Sequence, residues 1–375
     1  MRPKISSFLK HFFGLVIGFL FFVEVAYSQA SLSDEINLLK NPSALYDNRI
    51  DNMAYWQYAL RKGYIAPNPQ VTNLDAIYCG SFLRSYSIPF QDSPDVMIGE
   101  GENTQSENSI AVSPLDNEFL LNSNNSEDYA AEVLLGADFF ISEDAGMEWE
   151  GEIEGVGGDN SGDPAVAMNA DGRLFVGYIN EMFGQSVAIS DDKGQNWERH
   201  LIAPSPGFYP AALDKNHLWI DNSPQSPYRN NVYCAWTRFS NGAAYDGEIQ
   251  LSCSNNGGTL WTNPFVISEG VNALSHNQGV NIQTGANGEL YVVWAIYDQW
   301  PGDECAMGFT CSFDGGYSFE PARRIISNIR GIRYSLSHKT MRVNSFPSMT
   351  VDLSNGPNKG NLYLVWANKG EPGIN

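Results

Sequence analysis

The sequence predicts an all-β protein, a β-propeller whose blades are four-stranded antiparallel sheets. Three observations support this prediction: an eight-residue motif that occurs four times, a pair of apolar strands that precedes each copy, and a composition rich in glycine and aromatic residues. The 375 residues include 35 Gly, 18 Tyr, 20 Phe and 9 Trp, which suits many short strands joined by tight turns.

The repeated motif reads S-x-[DN]-x-G-x-x-[WF] and is called the box motif below; its spacing is that of a blade with loops of varying length. An Asp or Asn in third place can accept hydrogen bonds from nearby backbone N–H groups, and Gly in fifth place permits positive φ. The aromatic residue in eighth place can bury its ring between strands. We therefore predict a hairpin turn at each copy, a structural role for its residues, and largely buried aromatic rings. The predicted structural residues are Ser142, Asp144, Gly146 and Trp149; Ser190, Asp192, Gly194 and Trp197; Ser254, Asn256, Gly258 and Trp261; and Ser312, Asp314, Gly316 and Phe319.

Two apolar strands precede each box motif, one leads into it and one leaves it, so each repeat supplies the four strands of a blade. We predict complete blades over residues 105–156, 160–204, 214–268 and 276–327. Strands 1 and 2 of a fifth blade follow Arg342, and the sequence reaches Asn375 before another box motif. We therefore expect a propeller of six or more blades, of which this sequence contains four complete blades and part of a fifth.

The first 30 residues have the pattern of a secretory signal peptide. Arg2, Lys4 and Lys10 precede an apolar run over residues 12–23, and small residues follow. Cleavage is expected after Ser28 or Ala30, which predicts a secreted or cell-surface protein. Residues 31–100 are predicted to form a partly helical or irregular segment, and residues 101–375 the propeller.

Charge and cysteine content narrow the classes of partner. The formal net charge of −21 disfavours nucleic acid and anionic membranes. The five cysteines imply neither a disulfide framework nor a metal site. Cys234 and Cys253 lie on adjacent predicted strands, where they are either neighbours or separate buried free thiols. No cofactor is predicted. Residues 298–304 offer oxygen ligands for Ca²⁺, but their spacing differs from an EF-hand and solvation explains them as well.

The box motifs, with residues 104–112 (TQSENSIAV) and 226–236 (SPYRNNVYCAW), resemble the Asp-box or BNR repeats of the bacterial sialidase superfamily over residues 95–375. The resemblance implies a sialidase-like propeller and an exo-glycoside hydrolase acting on sialylated or other surface glycans. In that family a Phe/Tyr-Arg-Ile-Pro motif supplies one of three arginines that hold the substrate carboxylate. Ser87 occupies the arginine place of the nearest match, so this bidentate grip does not carry over. The family's Tyr/Glu nucleophile pair is not identified in this sequence.

Blade geometry places a functional site at the end opposite the box motifs, where the chain enters the first strand of each blade. Asp163, in a Gly-Asp-Pro sequence before a strand, is the candidate acid/base. Each candidate equally fits a solvated or strand-capping role. The substrate-binding candidates at the other strand entries are Glu107, Lys215, His217, His276 and Arg342.

Two functions from different classes stay open. One is a glycoside hydrolase of the exo-α-sialidase type, and the other is a non-catalytic propeller that binds glycan or an extracellular protein. An intact arginine triad would favour the glycoside hydrolase, but Ser87 stands where one of the three arginines is expected.

Overall fold

The computed structural model describes residues 77–78, 96–99, 104–128, 133–207, 212–239, 247–269, 271, 275–299, 302–333 and 343–369. All of them belong to the larger of two compact units, Asn68–Asn375. These residues form β-strands, turns and irregular loops but no helix, so none contributes a helix that could cross a membrane. The predicted signal peptide, Ser87 and Arg342 lie outside the described residues.

The described strands confirm the predicted all-β fold: four four-stranded antiparallel blades follow one another along the chain, and two strands begin a fifth. A short strand β1 (Ile77–Tyr78) precedes them. Blade 1 comprises β2 (Thr104–Val112), β3 (Leu120–Asp128), β4 (Val133–Ala137), β5 (Phe139–Ser142) and β6 (Glu150–Glu152), with β4 an addition that pairs with β3. Blade 2 comprises β7 (Ala165–Met168), β8 (Leu174–Ile179), β9 (Gln185–Ser190) and β10 (Glu198–Ala203). Blade 3 comprises β11 (Ala212–Ile220), β12 (Val232–Phe239), β13 (Gly247–Ser254) and β14 (Phe265–Val266). Blade 4 comprises β15 (His276–Thr284), β16 (Leu290–Tyr297), β17 (Ala306–Ser312) and β18 (Arg323–Ser327), and the fifth sheet comprises β19 (Ser348–Val351) and β20 (Leu362–Val365).

The first strand of each blade lies at the inner edge of its sheet. There β2, β7, β11, β15 and β19 lie against one another in that order. Apolar cores fill the space between consecutive blades, because alternate side chains of each strand face opposite neighbours. The largest fully buried side chains include Trp236 and Trp294, on the second strands of blades 3 and 4. Burying apolar surface on both faces holds adjacent blades together.

The box motifs form the predicted turns. In the first copy, Asp144 Oδ1 accepts hydrogen bonds from the backbone N of Met147 and Glu148, each at 2.9 Å. Ser142 Oγ donates to Asp144 Oδ1 and accepts from Gly146 N, both at 2.8 Å. The fifth-place glycines have φ between 82° and 90° in all four copies, as predicted.

The box aromatics are half-buried, which corrects the prediction of largely buried rings. The indole of Trp261 donates to Gly258 O in its own turn at 2.8 Å, so one edge of the ring stays at the surface. Two of the other box aromatics pack on the preceding blade: Trp197 meets Phe139 edge-on at 5.1 Å, and Phe319 lies 5.8 Å from Phe265. These aromatic residues therefore stabilise blade contacts more than the interior of their own sheet.

Two further features differ from or add to the sequence expectations. Cys234 and Cys253 lie on adjacent strands, but Cys234 is opposite Ser252 and Cys253 is opposite Tyr233, so their side chains project from opposite faces. Both are buried free thiols in different interblade cores. In addition, β1 pairs antiparallel with the outer strand β18, so blade 4 gains a fifth strand from the segment before the propeller.

Candidate functional site

The inner strands carry a backbone irregularity that creates the candidate site. In blades 1, 3 and 4 the pairing of the first strand with the second shifts register at Glu107, Lys215 and Gly279. These residues have φ of 55°, 49° and 74°, and Asp163, two residues before β7, has φ of 54°. We call this place in each blade the bulge position. Positive φ strains a residue that has a Cβ, and such strain concentrates at functional sites.

The bulge positions of blades 1, 2 and 3 bring four ionisable side chains together. Lys215 Nζ lies 2.8 Å from Glu107 Oε2, and Lys215 N donates to Asp163 Oδ2 at 3.0 Å. The side chain of Asp163 is also hydrogen-bonded to those of Glu107 and Asp214. We call Glu107, Asp163, Asp214 and Lys215 the acid cluster. Three of its members are predicted site residues, and the fourth, Asp214, was not indicated by the sequence.

Amide side chains from both neighbouring blades hold Asp163 in place. Asn125 Oδ1 accepts from Asp163 N at 2.6 Å, and its Nδ2 donates to Asp163 Oδ1 at 3.4 Å. From blade 3, Asn216 Nδ2 donates to Asp163 O at 2.8 Å. Because Asp163 is fixed from both sides, its carboxylate has a defined position between Glu107 and Lys215.

The environment separates the pKa values of the two central carboxyl groups. Burial, followed by the charge of Asp163, raises the pKa of Glu107 to about 7. Burial alone would raise the pKa of Asp163, but its hydrogen bonds with Asp214 and Glu107 and the charge of Lys215 hold that pKa below its usual value. Near neutral pH Glu107 therefore exchanges between its protonated and ionised forms, while Asp163 is ionised. A protonated carboxyl beside a carboxylate is a general acid/base arrangement.

The acid cluster is partly open to solvent: all four residues are half-buried, and the side chains of Glu107 and Lys215 are 24% and 35% exposed. Opposing charges, chiefly those of Asp163 and Glu107, outweigh burial and raise the pKa of Lys215, so the lysine stays protonated. The site therefore presents to solvent one ammonium group and a carboxyl group that titrates near neutral pH.

The two histidine candidates, half-buried His217 and buried His276, pack between blades 3 and 4. His217 Nδ1 accepts a hydrogen bond from Ile282 N of blade 4 at 3.3 Å, and burial with the charge of Lys215 lowers its pKa to about 4. Neutral His217 thus links blades 3 and 4. His276 is 1% exposed and stacks on Phe239 of blade 3 at 5.7 Å, between blades 3 and 4. The structure brings neither imidazole into the acid cluster, although the charge of Lys215 acts on His217.

A Tyr/Glu pair that the sequence did not indicate lies in blade 4. Tyr297 Oη donates to Glu304 Oε1 at 2.8 Å, and both residues are 1% exposed. Glu304 also accepts from the backbone N of Ile332 at 3.1 Å and of Ser345 at 2.9 Å. These contacts anchor the connection between blades 4 and 5, which is a structural use of the pair.

The acidic stretch considered for Ca²⁺ has protein partners in the described residues. Asp298 pairs with Arg324, and Asp303 lies 2.9 Å from Lys369 Nζ. Among the residues that the structure describes, no group of three or more His, Cys, Asp or Glu side chains is arranged to hold a metal ion.

A separate groove of about 350 Å³ lies between blades 1 and 2. It is lined by Glu152, Asp159 and the box aromatic Trp197, among others, and shares no residue with the acid cluster. Its carboxylates lack the strained inner-strand backbone that distinguishes the acid cluster, so we place the functional site at the acid cluster.

Comparison with protein-family models finds no match, and comparison with curated proteins finds none either. Similar solved structures include an α-L-arabinofuranosidase from Fusarium graminearum, with 11% identity over 72% of this chain and 77% of that chain and a TM-score of 0.47. An α-L-arabinanase from Penicillium chrysogenum has 13% identity over 70% and 74%, with a TM-score of 0.46. A mutant of the NanB sialidase from Streptococcus pneumoniae has 10% identity over 74% and 59%, with a TM-score of 0.47. At these identities, function has to be argued from the acid cluster itself.

Proposed function

We propose that this protein is a secreted glycoside hydrolase whose active site is the acid cluster. The observation that supports the proposal is Glu107, whose pKa is about 7, hydrogen-bonded to ionised Asp163 on strained inner-strand backbone. Glycoside hydrolysis needs one carboxyl that donates a proton and one carboxylate that stabilises positive charge. Secretion rests on the predicted signal peptide.

In the proposed reaction, Glu107 donates its proton to the leaving oxygen as the glycosidic C–O bond breaks. Asp163 stabilises the oxocarbenium-like carbon and accepts a proton from the water whose oxygen bonds to that carbon, so one water is consumed per bond cleaved. The two carboxyl groups are hydrogen-bonded, whereas glycosidase pairs are separated by about 5 Å or more. The substrate oxygen must therefore replace Asp163 as the hydrogen-bond partner of Glu107.

The charge of the site favours neutral sugars over sialylated ones. Three carboxyl groups and one ammonium group meet in the acid cluster, so a substrate carboxylate would be repelled unless additional cations held it. The resemblance to sialidases implies a sialylated substrate, but that family's arginine place is held by Ser87. We therefore propose neutral glycosides as substrates and sialosides as poor ones.

The test is hydrolysis of fluorogenic neutral glycosides and a fluorogenic sialoside by the wild type, Glu107→Gln and Glu118→Gln. Glu118 is an exposed carboxyl in the turn between β2 and β3, so it serves as the matched control. We expect Glu107→Gln to lower kcat on a neutral glycoside by about 100-fold or more, with Glu118→Gln unchanged. Equal activity of wild type and Glu107→Gln would refute Glu107 as the acid.

A second candidate, a non-catalytic glycan- or protein-binding propeller, is favoured by the existing contacts of Asp163. Its carboxylate already accepts from Lys215 N and Asn125 Nδ2, which is how a residue that joins blades would behave. Saturable binding of a neutral glycan, measured by calorimetry, with no turnover by the wild type would favour this alternative.

A further inference from the structure

The connection between β8 and β9 is a rigid turn at the same end of blade 2 as Asp163. Asn180 Oδ1 accepts from the backbone N of Met182 and of Gly184, both at 3.0 Å. Phe183 N donates to Asn180 O at 2.9 Å, and Asn180 N donates to Gly184 O at 3.0 Å. We call residues 180–184 the Phe183 loop. Its four hydrogen bonds fix the backbone from which its side chains extend.

The Phe183 loop holds two apolar side chains in solvent at an energetic cost. Met182 is 68% exposed and Phe183 is 41% exposed. Phe183 also has a φ of 62°, a conformation that bulky residues rarely adopt. Neither the exposure nor the backbone strain benefits folding, and strained residues of this kind cluster at ligand clamps and active sites.

Backbone hydrogen bonds place this loop directly beside the acid cluster. Ile179 N, at the start of the loop, donates to Gly162 O at 2.9 Å, next to Asp163. On the other side, Leu213 N donates to Phe183 O at 3.2 Å, next to Asp214. The loop is thus bonded to the immediate chain neighbours of two acid-cluster residues.

We propose that Phe183, supported by Met182, forms a subsite on which a sugar ring of a neutral oligosaccharide stacks while the adjacent glycosidic bond lies at the acid cluster. The C–H face of a sugar ring is apolar, and carbohydrate sites combine such an aromatic surface with a few polar groups. The inference rests on the proposed function and specifies its substrate class as oligosaccharides with at least two sugar rings.

The experiment measures kcat and KM on neutral gluco-, galacto-, manno-, xylo- and arabino-oligosaccharides for the wild type, Phe183→Ala, Phe183→Tyr and Phe313→Ala. Phe313 is a 61% exposed aromatic in the box motif of blade 4, at the opposite end of the blades, and is the matched control. We expect Phe183→Ala to raise KM about tenfold or more with kcat within about twofold, because stacking acts on binding. Phe183→Tyr should restore the wild-type KM, and Phe313→Ala should match the wild type.

Calorimetry with the same oligosaccharides measures Kd, with and without Phe183→Ala, in the wild type and in the inactive Glu107→Gln background. These Kd values separate failure of the subsite from failure of the proposed function. If Glu107→Gln abolishes turnover while Phe183→Ala leaves both KM and Kd unchanged, the subsite is overturned and the hydrolase stands. If the wild type has no turnover but Phe183→Ala weakens binding about tenfold, the subsite stands without catalysis. Absence of both turnover and binding in the wild type overturns both proposals.

Discussion

Replacing the box glycine Gly258 with valine tests how the turn geometry supports the blades. Gly258 has a φ of +86°, and a Cβ at this position would lie 2.9 Å from Phe175 Cε1 and 3.0 Å from Ile189 Cδ1. Both neighbours belong to the core between blades 2 and 3. Valine would therefore strain its own backbone and also push against an interblade core.

The two penalties can be separated with Gly146→Val in the first box motif. Gly146 has a similar φ of +90°, but its nearest Cβ contact is Trp149 Cζ2 at an ordinary 3.5 Å. Left-handed backbone costs about 1–2 kcal/mol for a residue with a Cβ, and overpacking a core adds about 1–3 kcal/mol. We expect Gly146→Val to lose only the first amount and Gly258→Val to lose about 2–5 kcal/mol.

The assay is thermal and urea unfolding of the wild type and both variants, monitored by tryptophan fluorescence. At roughly 2 °C per kcal/mol for a large domain, Tm should fall by about 2–4 °C for Gly146→Val and about 4–10 °C for Gly258→Val. Equal losses in the two variants would refute the packing part of the argument. An unchanged Tm in both would refute the requirement for positive φ.

Three further predictions concern the acid cluster. Because the folded-state pKa of Glu107 is raised to about 7, the stability that Glu107 contributes is complete below its unfolded pKa of about 4.5 and is lost as pH rises through 7. The free energy of unfolding of the wild type relative to Glu107→Gln should therefore fall by up to about 3 kcal/mol over this range. Tm and urea unfolding measured across this pH range test it, and a constant difference between the two proteins would contradict the raised pKa. Since the charge of Lys215 lowers the pKa of Glu107, Lys215→Met should move the alkaline limb of the activity profile to higher pH, and a shift to lower pH would contradict Glu107 as the acid. Finally, a fluorogenic sialoside should be cleaved far more slowly than the best neutral glycoside, and robust sialoside turnover, lost in Asp163→Asn, would show that other cations replace the arginine missing at Ser87.

The parts of the fold that sequence predicts well are those in which interacting residues are close in the chain. The side-chain hydrogen bonds of Ser142 and Asp144 in the first box turn join residues within four positions of one another, so the motif itself specifies the geometry. The half-burial of Trp197 was not predictable in the same way. It depends on Phe139 of the preceding blade, and therefore on how two sheets pack.

The acid cluster was only partly predictable for the same reason. Glu107 and Lys215 were recognised as strand-entry residues, but their salt bridge joins positions 108 residues apart. Asp214 and Asn125 were missed because hydrophobic alternation does not reveal a bulge that rotates neighbouring side chains. His276 was a candidate through the same strand-entry rule, but the bulge in blade 4 lies three residues later, at Gly279.

The charged site occupies blades 1 to 3 because the residue at the bulge position differs from blade to blade. In those blades the position holds Glu107, Asp163 and Lys215, whose side chains converge. In blade 4 it holds Gly279, and a Cβ there would lie 2.1 Å from Cγ of Phe346, so the glycine leaves room for an aromatic ring from the segment that enters the fifth sheet. One repeated backbone irregularity thus places ionisable groups on one side of the inner edge and an apolar ring on the other. A sugar ring also has a polar rim and an apolar face. The exposed Phe183, bonded through its loop to the neighbours of Asp163 and Asp214, places an apolar ring beside polar groups in the same way.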